Sequence, residues 1–272
     1  MTIIQTSEDI AMWALRSLAA IFGLYIVVGT LISAIKTFVL PRGVNVWLTR
    51  IVFWVVGFFF RVRAKKARTY DDQDRIMALF APVGLLVMPV VLLTLILIGY
   101  MFLFWAIDPQ PVADVMRYSG SSLLTLGYAS GGTIPYKLLE FSEAMIGLIL
   151  VALLIAYLPT IYAAFSRRET AVSLLENRAS SPPSAAQFVS RSYRTGELET
   201  LNEVWSDWQI WFAELRESHT SLAPLSFFRS PQTGVSWITA AGTVLDSAAL
   251  ILSAVDVPPE PRAAFCIRGG YL

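Results

Sequence analysis

The chain has 272 residues, of which 56% are hydrophobic and only 15% charged, and its mean hydropathy is +0.60. Ordinary soluble domains carry about 25% charge, so the composition argues against a cytosolic enzyme, a secreted domain or a disordered tail. A net charge of +1 excludes an electrostatic footprint for nucleic acid, Cys266 alone cannot make an internal disulfide, and His219 alone argues against a His-ligated metal or haem.

The chain divides in order into residues 1–43, 44–77, 78–166 and 167–272. The first part holds an apolar run from Ser17 to Leu40, closed by Pro41-Arg42-Gly43. A membrane-spanning helix needs about 20 apolar residues, so this run spans. It is too long for a signal-peptide core and has no basic residue before Arg16. The second part, a linker, carries Ile51–Phe60, ten apolar residues between Arg50 and Arg61. That segment reads as a helix lying in the membrane interface, its arginines reaching to headgroups. The alternative, a span that includes Val44–Leu48, would bury Arg50. A basic stretch through Arg75 completes the linker. Two further spans follow, Ala78–Ile107 and Ala144–Phe165, the latter ending at Arg167-Arg168.

The basic residues set an orientation. Residues 41–77 and those after 166 hold most of the Arg and Lys, whereas 108–143 holds only Arg117 and Lys137. The positive-inside rule places the basic parts in the cytoplasm and the N-terminus outside. The expected location is a cell inner membrane, crossed several times, with lipid as the surrounding partner.

Residues 108–143 do not read as an ordinary loop. Pro111 precedes a short helix, Val112–Leu124 (VADVMRYSGSSLL). Thr125-Leu126-Gly127-Tyr128-Ala129-Ser130-Gly131-Gly132 follows, then Pro135 and the last span. Irregular backbone at membrane depth is tolerated only where it is buried in protein or lines a wet cavity. A filter of carbonyls around a permeating cation meets that condition.

Here the chain resembles the tetrameric potassium-channel superfamily, in particular bacterial proteins with two helices and a pore loop. The family's filter reads Thr-Val-Gly-Tyr-Gly-Asp, against Thr125-Leu126-Gly127-Tyr128-Ala129-Ser130 here. The stretches Ala152–Pro159, Phe165–Glu169, Ser173–Ser184, Phe228–Ser230 and Ser236-Trp237 share the likeness. The resemblance implies an all-α membrane protein with three transmembrane helices, a re-entrant pore helix and filter between the last two, and a helical cytoplasmic region. It implies a homotetramer passing potassium or other monovalent cations, with no enzymatic activity and no cofactor beyond the permeating ion. The filter would be Thr125, Leu126, Gly127, Tyr128 and Ala129, with carbonyls of Thr125 to Tyr128 and the Thr125 hydroxyl contacting the cation. Gly147 and Pro159 would be the gating hinge of the inner helix.

Two departures from the pattern open rival readings. Ala129 stands where the family has glycine, so a left-handed backbone there would cost about 1 kcal/mol or more. Ser130 replaces an acid, removing a ring of charge and a restraint on the filter mouth. The rivals are a non-selective monovalent cation channel and a non-conducting channel-like scaffold or sensor. Glu140 and Glu143 read as solvated residues at the outer end of a helix, with a brace or vestibule role as the second reading.

In the last part, Arg168–Arg178 continues the inner helix until Ser180-Ser181-Pro182-Pro183-Ser184. Glu197–Ser218 is amphipathic, with Leu198, Leu201, Val204, Trp205, Trp208, Trp211, Phe212 and Leu215 at helical spacing. The tryptophans read as core rather than ligand box, and His219 as a residue at the helix end. Trp237–Val255 is a second helix, paired with the first as a hairpin, and Pro258–Leu272 is expected to be irregular. The region is suited to hold an unidentified cytoplasmic regulator. No nucleotide fingerprint or arginine-rich voltage-sensing helix is present.

Overall fold

The computed structural model describes residues 2–40, 47–230, 235–258 and 261–271, and the side chains of all of these except 2–8 and 199. The expected Pro41-Arg42-Gly43 stop lies outside the described residues. Among the described residues the protein is all-helical, with no strand. Four helical stretches are long and apolar enough to cross a membrane: Asp9–Phe38, Tyr70–Ile107, Ile134–Ala179 and Trp237–Ala254. The described residues form two compact units, one drawn from 2–40, 47–54 and 84–158, the other from 55–83 and 159–271.

The first unit contains α1 (Thr2–Phe38), the start of α2 (Trp47–Ala64), most of α4 (Phe80–Ile107), α5 (Val112–Leu123) and the first half of α6 (Ile134–Ala179). With apolar side chains on every face, these helices use small residues to approach one another. A Cβ on Gly23 of α1 would lie 2.6 Å from the Gly99 carbonyl of α4, so the two backbones cross in contact. Phe22 packs edge-on to Phe102 beside that crossing, at 5.1 Å between centroids. The one basic residue in this part of α1, Arg16, is not stranded. Its Nε donates to the Ala106 carbonyl at 2.7 Å and its Nη2 to that of Ile107, so it caps the last turn of α4. Thr37 and Thr49 hydroxyls meet at 3.0 Å between α1 and α2. The helix expected over 51–60 is longer than its apolar run, because Trp47, Leu48 and Thr49 extend it before Arg50.

The second unit is built around Trp205, which is fully buried. It comprises the end of α2, α3 (Tyr70–Ala78), the second half of α6, α7 (Ala185–Thr195), α8 (Leu201–Ser221), α9 (Trp237–Ala254) and α10 (Pro261–Tyr271). Leu201, Val204, Trp205, Trp208, Trp211 and Phe212 of α8 are all buried, as the spacing predicts, and Leu198 and Leu215 pack at the margin. Trp208 and Trp211 are 4.6 Å apart between ring centroids, and Phe188 of α7 meets Trp205 at 6.0 Å. The tryptophans are core.

Two expectations fail here. The tail is not irregular, because Pro261 at the first position of α10 suits a helix start and Ala263 and Cys266 are buried on one face. Nor do α8 and α9 form a simple hairpin: α10 packs against both, and α9 also packs on α7. Gly270 permits this, since a Cβ there would meet Leu245 of α9 at 2.7 Å and Phe212 of α8 at 3.1 Å. Burial raises the Cys266 thiol to about 12, so it stays protonated and serves as a small apolar residue. The acidic run after Arg68 is also used: the Thr69 hydroxyl caps α3 by accepting from the Asp72 amide at 3.2 Å, and Asp74 pairs with Arg229.

His219 is half-buried rather than a plain surface residue, its ring edge-on to Trp237 at 5.1 Å. Burial, and then the positive charge of Arg168, lower its pKa below the ordinary 6.5. A base with a lowered folded-state pKa favours the native state above its unfolded value and withdraws that support as pH falls toward the folded value. The melting temperature is therefore expected to drop on acidification below about pH 6.5 more steeply in the native sequence than in His219→Gln. Parallel melting curves from pH 7.5 to 5 would show equal slopes if His219 does not carry this effect.

Candidate functional site

The site lies in the first unit, between the C-terminal end of α4 and the start of α6. Pro111 begins α5 with a fixed φ of −52°, and Asp114 sits favourably in its first turn. An aromatic cluster seats the helix: Phe104 stacks on Tyr136 at 5.4 Å and meets Tyr118 at 6.2 Å, while Tyr118 meets Tyr136 at 5.5 Å. Tyr100 and Ser142 hydroxyls share a hydrogen bond of 2.8 Å between α4 and α6.

At the C-terminal end of α5, Gly147 of α6 faces the backbone. A Cβ there would lie 2.5 Å from the Leu123 carbonyl oxygen, so only glycine lets the two helices close. The residue expected as half of a hinge is thus also a close packing contact. Pro159, the other half, lies inside α6 and lacks the N–H that would bond the Ile155 carbonyl, yet the helix runs on to Ala179.

After Leu123 the chain leaves helical geometry through residue 133. The Ser121 carbonyl accepts the Leu126 amide at 2.8 Å and the Gly127 amide at 3.5 Å, and the Ser121 hydroxyl accepts the Ala129 amide at 3.1 Å. One residue of α5 therefore pins the loop at two places. Left-handed backbone falls at Thr125, φ 54°, and at Gly127, φ 71°, with none at Leu126, Tyr128 or Ala129. The strain expected at Ala129 is absent; Thr125 holds the unfavourable conformation instead, and Gly127 accepts it without cost. Thr125, Leu126, Gly127 and Tyr128 are exposed in the single chain, Leu126 and Tyr128 by 60% and 64%, while Ala129 is half-buried.

The two acids of α6 overturn the solvated reading. Glu140 is 8% exposed and Glu143 wholly buried. Glu140 takes the Ser130 hydroxyl on Oε2 at 2.8 Å and the Gly131 amide on Oε1 at 2.6 Å. Lys137 approaches the same Oε2 at 3.3 Å and donates to the Ser130 hydroxyl oxygen. Glu143 Oε1 receives the Ser119 hydroxyl of α5 at 2.5 Å; that hydroxyl also lies 3.1 Å from the Leu97 carbonyl of α4. Ser119 and Ser121 were not anticipated as site residues, and Glu140 and Glu143 only through the second reading, a brace. The available signals were a run of serines in a short helix that needs buried polar partners, and two acids three apart at the edge of an apolar span. Among the described residues, no group of three or more His, Cys, Asp and Glu side chains could hold a metal ion.

The fold and this site define an all-helical membrane-type protein in which an irregular, polar-braced loop is held between two long apolar helices. No protein-family model, curated protein or solved structure matches the chain.

Proposed function

We propose that the chain is one subunit of a cation channel in a cell inner membrane, assembled as a homotetramer around the loop Thr125–Tyr128. The observation that carries this reading is the loop itself: non-helical backbone, left-handed at Thr125 and Gly127, exposed in the single chain and tied from behind by Ser121. A single strand of carbonyls cannot surround an ion, and four related by a central axis can replace its hydration shell. The resemblance of Thr125-Leu126-Gly127-Tyr128 to the potassium-channel filter supports the same conclusion.

In this reading α1, α4 and α6 span the membrane and α5 is the re-entrant helix. The apolar length of α9 is used differently: Ala240, Val244, Ala248 and Ile251 pack into the core around Trp205, with buried Thr243 and Ser247 on the same helix. The basic residues of 41–77 and 167–178 support a cytoplasmic second unit by the positive-inside rule, in which a regulator would bind. α6 opens the path by bending at Gly147 and Pro159. The chain acts without a cofactor and catalyses no reaction.

Purified protein in a planar bilayer, with potassium on one side and sodium on the other, is expected to give current that reverses near the potassium equilibrium potential. Gly127→Val is expected to abolish it, because a β-branched residue is strained at a φ of 71° and Thr125, two residues before, already carries such strain. Robust current reversing near zero would favour the non-selective channel. A verified tetramer that stays silent would leave the scaffold reading.

A further inference from the structure

The outer end of the loop is held by the helix that follows it. Ala129 is the last residue tied to α5, through the Ser121 hydroxyl. The next two, Ser130 and Gly131, are tied to Glu140 of α6 at 2.8 and 2.6 Å. Glu140 spends both carboxylate oxygens on the loop, and its side chain is only 10% exposed. A charge so enclosed is tolerated only when it is paired and hydrogen-bonded. Its partners all lie within residues 130–137: a hydroxyl, a backbone amide and the Lys137 ammonium. Lys137 also donates to the Ser130 oxygen, so the serine accepts from the cation and donates to the anion. A carboxylate at position 130 would face Glu140 instead, so the serine and the glutamate are complementary choices. An exposed i,i+3 pair of Lys137 and Glu140 would need none of the loop contacts.

We propose that Glu140, with Lys137, is the positioning residue for the mouth of the ion path, so that α6 holds Ser130 and Gly131 at the outer end of the loop while Ser121 of α5 holds Ala129 from behind. The proposal rests on the channel reading for its consequence and on the geometry alone for the restraint. Bending of α6 would then be felt at the outer end of the filter through one side chain.

The full chain in lipid nanodiscs tests both parts. Backbone amide exchange over residues 129–133 is expected to rise about tenfold or more in Glu140→Ala, which removes two hydrogen bonds to a charged acceptor. Glu140→Gln, which keeps one acceptor oxygen and the side-chain volume, is expected to fall between Glu140→Ala and the native protein. Exchange in α5, residues 112–123, is expected to stay unchanged. In the bilayer, the potassium–sodium reversal potential is expected to move toward zero in the same order, at equal tetramer content. Unchanged exchange at 129–133 in both variants would overturn the restraint. Raised exchange with a fixed reversal potential would overturn the role in selectivity. A silent native protein would sink the channel reading with that role, and the exchange data would still decide whether Glu140 holds the loop.

Discussion

Gly147→Ala is expected to unseat α5 from α6 and to lower the melting temperature of the detergent-solubilised protein by several degrees. An added methyl would sit 2.5 Å from the Leu123 carbonyl oxygen and 3.1 Å from Leu123 Cδ1, and the nearer atom is backbone, which cannot rotate away. Overpacking of this kind costs about 1–3 kcal/mol. Alanine's better helix propensity returns at most about 1 kcal/mol, so the clash decides the sign. Gly29→Ala in α1 is the matched control, because nothing lies within 4 Å of the Cβ position there. That change is expected to be neutral or to stabilise by about 0.5–1 kcal/mol. Faster amide exchange in residues 112–123 for Gly147→Ala, and not for Gly29→Ala, would trace the loss to the seat of α5. Equal behaviour of the two variants would show that α5 and α6 can part without cost.

Much of the fold was legible because a membrane span is written redundantly. The runs ending at Leu40, Ile107 and Phe165 are uniformly apolar over lengths that few other structures need, so single residues do not change the reading. The short helix before Thr125 was legible from Pro111 and its apolar spacing. What the loop is tied to was not. Ser121 reaches Ala129 over eight residues, Glu140 reaches Gly131 over nine, and Ser119 reaches Glu143 over twenty-four. No period marks such pairs, and an acid next to an apolar run looks solvated until its partners are known. Ala129 misled for a related reason: the strain was assigned by likeness to position 129, whereas the backbone places it at Thr125. In the second unit, α10 was hidden by its composition. Proline and glycine suggest a break, yet Pro261 opens the helix and Gly270 makes room for Leu245 and Phe212. α7 was not read from the sequence at all, and the structure ends it at Gly196, left-handed at φ 73°.

Arg168→Ala is expected to be the most damaging single change in the second unit. The residue is 4% exposed, and its guanidinium is used in every direction. Its Nε donates to Glu169 Oε1 at 2.8 Å, Nη1 to the Leu225 carbonyl at 3.2 Å and Nη2 to the Phe228 carbonyl at 2.8 Å. It also lies over the rings of Phe165 and Trp237, at 5.3 and 5.4 Å. The carbonyls it holds belong to the turn on which Phe228 packs against Tyr162 and Phe165, and which continues to the Arg229–Asp74 pair. Alanine would leave the buried Phe228 carbonyl and the nearly buried Glu169 without this donor, while the Leu225 carbonyl keeps the Phe228 amide at 3.1 Å, and removing one partner of a buried pair costs about 3–5 kcal/mol. Lysine keeps the charge but cannot fork between two carbonyls and a carboxylate, so Arg168→Lys is expected to recover only part of the loss. Arg168→Ala/Glu169→Ala should be less damaging than the two single losses added together, because it removes the stranded charge with its partner. Thermal unfolding of the five proteins, native, Arg168→Ala, Arg168→Lys, Glu169→Ala and the double variant, gives the order directly. Equal melting temperatures for the native chain and Arg168→Ala would mean that the turn after α8 holds to α6 by its aromatic residues alone.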